Sequence, residues 1–283
     1  MMNIEKDIVG LKFGSDLVID GCSGEINRQA LAHYAAEIAL VKETFCPVIF
    51  TSGGAAAGEA YLDKHGFNKD ELGAQELAAI GSDEISKAWK DALREEDMIG
   101  AQVLANHNQM RMGSVLMQTL VHGIGNGLVY IINENDQENI FELSRYEKEL
   151  QSERAKNNIR TKKPGVDNDA LASRGMIALK KELEAEGLND KEVSLVLFTL
   201  VGGFKIDDTL LPSIYAHKAR YYYDHCGEKS EKGTGGMKYK IKAGFKAARA
   251  GVKTCIASPD FDFLDVINGK DCNGNPIGTR VLQ

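Results

Sequence analysis

Six short runs of β-branched and other apolar residues recur along the chain, and each is followed by a longer stretch with helical periodicity. Strands that alternate with helices are typical of a parallel β-sheet. The alternation therefore predicts a doubly wound α/β architecture, in which helices cover both faces of one sheet. The six predicted strands are DIVGLKF, CPVIFTS, AQVLA, LVYIIN, VSLVLFT and KTCIAS.

Apolar residues between the first two predicted strands are spaced mostly at three and four residues, which predicts a helix with one apolar stripe against the sheet. Further helical blocks are predicted near residues 70–95, and two more begin near Gln109 and Asn168. The stripe consists of Ile26, Ala30, Leu31, Tyr34, Ile38 and Val41.

Charge and composition favour a small-molecule substrate. The formal net charge of -7, from 41 acidic and 34 basic residues, opposes binding to nucleic acid or to an anionic membrane. The five cysteines have no CxxC spacing, so neither a zinc site nor a disulfide scaffold is predicted, and the six scattered histidines indicate no metal site. The chain has neither a targeting signal nor about 18 consecutive apolar residues, so we expect a soluble cytoplasmic protein.

One charged segment departs from the alternating pattern. Residues 137–163, QENIFELSRYEKELQSERAKNNIRTKK, are strongly polar and lie between a predicted strand and the turn DND. This composition predicts an exposed helical excursion or a mobile lid.

Three glycine-rich turns carry groups that suit phosphoryl transfer, a reaction that needs backbone N–H groups and cations around the migrating group. They are LKFGSD, TSGGAAAG and GTGGMKYKIKAG, and the absence of GxxxxGK[ST] excludes a P-loop. Each has a plainer explanation when taken alone. Lys12 could be a lysine at the end of a sheet, SGG a tight connection, and Lys238, Lys242 and Lys246 a solvated helix face.

Two acidic clusters follow predicted strands or precede helices: IINEND at residues 131–136 and VDND at residues 166–169. Either cluster alone is explained by a helix N-cap or an Asx turn. Their combination with three glycine turns and two lysines favours a functional interpretation, because anions bind readily where a glycine-rich turn meets a helix N-terminus.

The order of these motifs resembles the amino-acid kinase family, and within it the glutamate 5-kinases. The resemblance implies an open αβα sandwich with a mainly parallel central sheet. It also implies one kinase domain over residues 1–283, with an acceptor-binding lobe at 1–165 and a nucleotide-binding lobe at 166–283, and without a C-terminal PUA domain. The motifs are LKFGS, TSGGAAAG, AQVL, IINEND, DNDALA, LFT, GTGGMKYK, AGVKTCIAS and a terminal GTR.

The resemblance also implies an activity and a set of site residues. It implies phosphorylation of the glutamate side chain in proline biosynthesis, with ATP and Mg²⁺, by a homo-oligomer. Lys12, Lys240 and Asp169 match the family's catalytic positions. The matches to acceptor-binding positions are Ser52, Asp136 and Asn168, and those to ATP-binding positions are Thr199, Thr234, Gly235, Gly236, Met237, Lys238, Tyr239 and Lys240.

Several residues depart from the family pattern. Leu200 stands where the family usually has an aspartate, Asp16 and Lys238 replace small residues, and the segment 137–163 is longer than the family pattern predicts. Two alternatives therefore stay open. One is a kinase of the same fold with another carboxylate, carbamate or phosphate acceptor, and the other is a nucleotide-binding regulatory protein without catalysis.

Overall fold

One eight-stranded sheet runs through the part of the chain that the computed structural model describes, residues 4–68, 72–135, 168–226 and 236–283. Its strand order is β3-β4-β2-β1-β5-β9-β10-β8. The strands are β1 (Asp7–Lys12), β2 (Phe45–Phe50), β3 (Gly100–Ala105), β4 (Val129–Glu134), β5 (Val193–Phe198), β8 (Ser213–Tyr215), β9 (Lys253–Ala257) and β10 (Thr279–Leu282), and β6 (Lys205–Ile206) and β7 (Thr209–Leu210) form a separate hairpin.

The sheet is mainly parallel, which confirms the predicted fold class, and all six predicted strands are present. The first strand, β1, lies at its centre and pairs in parallel with β2 on one side and β5 on the other. At the far edge, β10 pairs antiparallel with β9 and parallel with β8. These two short strands, β8 and β10, were not predicted, because runs of three and four residues are too short to give a periodic signal.

Helices cover both faces of the sheet. A search of the described helices for a membrane span, long and strongly hydrophobic, finds no candidate. The predicted apolar stripe is correct for Leu31, Tyr34, Ile38 and Val41, which are buried. The helices are α1 (Ser15–Val18), α2 (Arg28–Lys42), α3 (Gly54–His65), α4 (Ala74–Glu95), α5 (Val115–Gly125), α6 (Asn168–Ala185), α7 (Ala219–Asp224), α8 (Gly236–Arg249) and α9 (Phe263–Asn268).

Helix α5 begins at Val115 rather than near Gln109. Its N-cap is Ser114, whose hydroxyl accepts a hydrogen bond from the backbone N–H of Met117. The preceding residues form turns instead, in which the side chain of Gln109 accepts from the backbone N–H of Asn106. The side-chain hydrogen bonds to the backbone therefore delay the start of this helix.

Helix α6 packs unusually close to the centre of the sheet. A Cβ atom on Gly10 of β1 would lie 2.7 Å from Sδ of Met176, and one on Gly175 would lie 3.0 Å from the ring of Phe50. The hydroxyl of Ser173 donates to the carbonyl of Ala243, 2.9 Å away, and so ties α6 to α8. These contacts fix the start of α6 relative to both β1 and α8.

Helices α3 and α4 form a hairpin in which backbone meets backbone. A Cβ atom on Gly58 would lie 1.9 Å from the carbonyl oxygen of Leu77, and one on Gly81 would lie 1.9 Å from that of Gly54. No side chain larger than hydrogen fits at either position without separating the helices. The close approach explains two glycines in helix interiors, where glycine is otherwise unfavourable.

We expect Gly58→Ala to lower the free energy of unfolding by about 1–3 kcal/mol, because the added methyl group overpacks the α3–α4 contact. Urea denaturation measures the change. The control is Gly21→Ala, where a Cβ atom would meet nothing within 4 Å and the change should stay within about 0.5 kcal/mol. Equal losses in the two variants would contradict the tight helix contact.

Candidate active site

A buried lysine ends the central strand. Lys12 is the last residue of β1 and is 4% exposed, because β2, β5 and the helices on both faces surround this position. The carboxyl ends of the parallel strands meet at this edge of the sheet, which is where open α/β sheets bind their ligands. A buried ammonium group needs a counter-charge. Asp169 provides it, with Oδ1 3.1 Å from Nζ of Lys12.

Asp169 also pairs with a second lysine. Nζ of Lys240, near the start of α8, donates to Oδ1 at 3.2 Å and to Oδ2 at 3.3 Å. Asp169 is 1% exposed and Lys240 is 8% exposed. The structure thus brings the three predicted catalytic residues together, although they come from β1, α6 and α8.

Electrostatics hold the Asp169 carboxyl group in its ionised form. Burial acts to raise its pKa, but the charges of Lys12 and Lys240 and their hydrogen bonds act in the opposite direction, and the net result is a lowered pKa. This one carboxylate is thus shared by two buried ammonium groups. Two fixed cations at one place suit an anionic ligand.

Two predicted acceptor-binding residues flank this cluster. The hydroxyl of Ser52, just beyond β2, accepts from Nζ of Lys12 at 3.4 Å and donates to the carbonyl of Phe13 at 3.4 Å. Asn168 begins α6, and its Oδ1 accepts from the backbone N–H of Glu134 at 3.2 Å. The third, Asp136, lies outside the described residues, as does the segment 137–163.

The described members of the predicted nucleotide-binding set follow β5, on the opposite side of β1 from β2, or lie in α8. Thr199 follows β5, is buried, and donates its backbone N–H to the carbonyl of Ala257 at 2.8 Å. Nζ of Lys238 lies 5.9 Å from the ring centroid of Tyr223. Thr234 and Gly235 lie outside the described residues. The first five residues of α8 are Gly236, Met237, Lys238, Tyr239 and Lys240.

The backbone near the cluster is suited to a phosphate-bearing ligand. Gly53, the N-cap of α3, has φ of 108°, a conformation that favours glycine. At Gly14 a Cβ atom would lie 2.4 Å from Oδ1 of Asp16. Asp16, which departs from the family pattern, thus folds back over the first glycine turn. Leu200, the other departure, follows β5 and is 61% exposed. The glycine turn at Gly53 follows Ser52, which contacts Lys12, so this turn beside buried cations suits a phosphate group.

Magnesium has a weaker basis in the described residues. They contain no group of three or more His, Cys, Asp or Glu side chains that could hold a metal ion. The carboxylate at the centre of the cluster, Asp169, is engaged by Lys12 and Lys240. The described side chains therefore do not build a separate metal site.

Sequence reasoning missed two residues at the same edge of the sheet. Glu134, the last residue of β4, is buried, and Nε2 of His107 lies 3.5 Å from its Oε1. Glu134 belongs to the IINEND cluster, but its burial and its histidine neighbour depend on how β3, β4 and α6 pack. No spacing in the sequence connects the two residues.

We expect Asp169→Asn to lower the free energy of unfolding by about 3–5 kcal/mol at neutral pH, because it removes the carboxylate that two buried ammonium groups share. A carboxyl group whose pKa is depressed in the folded state stabilises the fold above its unfolded pKa of about 3.9. This stabilisation is lost as the pH falls through the folded pKa. The difference between wild type and variant should therefore shrink as the pH falls below about 4.

Urea unfolding over a pH series measures both effects. The matched control is Asp83→Asn, because Asp83 is an exposed residue paired with Lys87 on the surface of α4. This control should unfold like the wild type. A stable Asp169→Asn protein at neutral pH would show that the lysines do not depend on this carboxylate.

The profile of the amino acid kinase family matches residues 8–258. Two curated relatives named glutamate 5-kinase are 29% identical over 278 residues (Nitrosomonas eutropha) and 30% identical over 277 residues (Thermotoga maritima). Each alignment covers 96% of this chain, and the chain spans about two thirds of each relative, 66% and 67% of their lengths.

Solved structures give the same picture of the fold. Carbamate kinase from Giardia lamblia, bound to AMP-PNP, has a TM-score of 0.63 and 15% identity, covering 98% of this chain and 99% of that one. UMP kinase from Ureaplasma parvum has a TM-score of 0.58 and 10% identity, covering 98% and 100%. With the fold, the parallel-sheet edge and the family profile in agreement, the chain belongs to the amino acid kinase family.

Proposed function

We propose that this chain transfers the γ-phosphoryl group of ATP to the side-chain carboxylate of L-glutamate, giving L-glutamyl 5-phosphate for proline biosynthesis. The observation that carries the proposal is the buried cluster in which Lys12 and Lys240 share Asp169. Relatives named glutamate 5-kinase, at 29–30% identity along nearly the whole chain, support the choice of acceptor.

The chemistry suits the groups present. A glutamate side chain is already ionised at neutral pH, since its pKa is about 4.3, so the reaction needs no general base. One acceptor oxygen forms a bond to the γ-phosphorus, the bond from that phosphorus to the β–γ bridging oxygen breaks, and ADP leaves with the bond electrons. Negative charge is redistributed but no proton is transferred. Two fixed cations can offset that charge without reorganisation.

Each residue then has a distinct role. Lys12 and Lys240 face the migrating phosphoryl group, and Asp169 holds both ammonium groups at fixed positions. Ser52, Asp136 and Asn168 bind the acceptor on the side of β2 and β4. The nucleotide is held by Thr199 and by the stretch from Thr234 to Lys240, which includes the first turn of α8.

Magnesium enters this proposal as part of the nucleotide substrate. Mg²⁺ is commonly bound through substrate phosphates with few protein ligands. This arrangement agrees with the engagement of Asp169 by two lysines, which leaves that carboxylate committed to positioning them. The division into an acceptor lobe at 1–165 and a nucleotide lobe at 166–283 remains part of the proposal.

We expect the protein to produce ADP and a hydroxylamine-trappable acyl phosphate when it is supplied with glutamate, ATP and magnesium. Because only an acyl phosphate gives a hydroxamate, the assay identifies a carboxylate acceptor directly. Aspartate, carbamate and small phosphates serve as competing acceptors. ADP formation with one of these but not with glutamate would replace the acceptor, and ATP binding without turnover on any of them would favour the regulatory alternative.

We expect Lys240→Met to lower kcat by about a hundredfold or more with a smaller change in acceptor KM, because the preorganised cation acts mainly in the transition state. Steady-state kinetics measure both constants. The control is Lys242→Met, on the same helix but exposed, which should keep kcat within about twofold. Both variants are first checked for folding by thermal unfolding. Near-normal turnover in Lys240→Met would remove Lys240 from the catalytic assignment.

A further inference from the structure

Unsatisfied polar atoms concentrate at one place in the described part of the chain. Five buried side-chain nitrogen or oxygen atoms there have no hydrogen-bond partner, and four of them belong to His107, Asn133 and Glu134. Both carboxylate oxygens of Glu134 are among these four. Burial of a carboxylate without hydrogen bonds is costly, so such groups call for a physical explanation. The proposed chemistry uses none of these three residues.

An imidazole lies beside this carboxylate. Nε2 of His107, in the loop after β3, lies 3.5 Å from Oε1 of Glu134, and the two side chains are 12% and 0% exposed. The backbone of Glu134 contacts the candidate active site. Its N–H is shared between Oδ1 of Asn133 at 2.9 Å and Oδ1 of Asn168 at 3.2 Å.

A further hydrogen bond closes these contacts into a cycle. Nη1 of Arg174, in the second turn of α6, donates to the carbonyl of His107 at 2.9 Å. The cycle runs from Arg174 to His107, from the imidazole to Glu134, and from the N–H of Glu134 back to α6 at Asn168. Because α6 is held at two points, its first turn cannot shift along β4 without breaking a contact. Asn168 immediately precedes Asp169.

We propose that His107 and Glu134 are positioning residues that orient the Asn168 side chain for the acceptor. The inference rests on the proposed function, in which Asn168 binds the acceptor. The contact with the N–H of Glu134 directs the oxygen of the Asn168 amide towards β4. It thereby sets the direction of the NH₂ branch, whose donors match the carboxylate oxygens of an amino acid.

Stability alone does not explain this pair. Replacement of both members of a buried polar pair by apolar side chains of similar volume is often neutral or stabilising, because the desolvation penalties of both groups disappear together. A pair that served only the fold would therefore leave catalysis unchanged when both members became apolar. A positioning pair would leave the fold intact and weaken acceptor binding. The two roles therefore make opposite predictions for acceptor binding by a variant in which both residues are apolar.

The decisive protein is a double variant that carries His107→Leu and Glu134→Met together. We expect its Tm to equal or exceed that of the wild type, while the acceptor KM rises about tenfold or more and the KM for ATP stays within about twofold. Glu134→Gln keeps the shape and a hydrogen-bonding side chain, so it should retain an acceptor KM nearer to the wild type. The matched control is His122→Leu, an exposed histidine on α5, which should change neither constant.

The wild-type protein and the double variant decide different questions. If the wild type turns over an acceptor other than glutamate, the acceptor assignment fails, and the variants are measured with that acceptor. A double variant with a native acceptor KM overturns the positioning role alone. So does a variant whose Tm falls while both KM values rise together, because that result shows general damage. If the wild type turns over no acceptor, the proposed function and this inference fail together.

Discussion

The sharing of one buried carboxylate by two lysines is the interaction on which the rest of the site depends. Asp169 supplies a counter-charge to Lys12 from β1 and to Lys240 from α8, and neither ammonium group is exposed enough for water to replace it. Both cations can stay in the interior only while α6 stays in place. The close contacts of α6 at Gly10 and its hydrogen bond to α8 serve this requirement.

The same arrangement links stability to chemistry. Asp169 contributes one negative charge to two buried cations, at the edge where β1 and β2 end. Burial of several charges at one place is costly, and such local cost is typical of functional sites. A phosphate group bound at this edge would interact favourably with both cations, so we expect ligand binding and fold stability to be coupled.

Sequence patterns predicted the parts of the molecule that depend on local signals. The six principal strands and the apolar stripe of α2 follow from periodicity, and the choice of Lys12, Asp169 and Lys240 as predicted catalytic residues follows from a motif resemblance. The short strands β8 and β10 were missed because their sequences are too short to show a period. The delayed start of α5 depends on side-chain hydrogen bonds within a turn, which helix propensity does not predict.

The contact between His107 and Glu134 arises only through packing of the strands and helices, so no spacing in the sequence predicts it. The roles of all the predicted site residues stay predictions, and Asp136, Thr234 and Gly235 lie outside the described residues.

The central position of the first strand has a consequence for synthesis on the ribosome. β1 gains one neighbour when β2 emerges, but its other edge stays unpaired until β5 is made, roughly 190 residues after β1 begins. At typical elongation rates of about 5–20 residues per second, this edge is open for roughly ten to forty seconds. An apolar strand with unpaired backbone groups invites pairing with other chains during that interval. The nascent chain should therefore depend on chaperones most strongly between the completion of β2 and the arrival of β5.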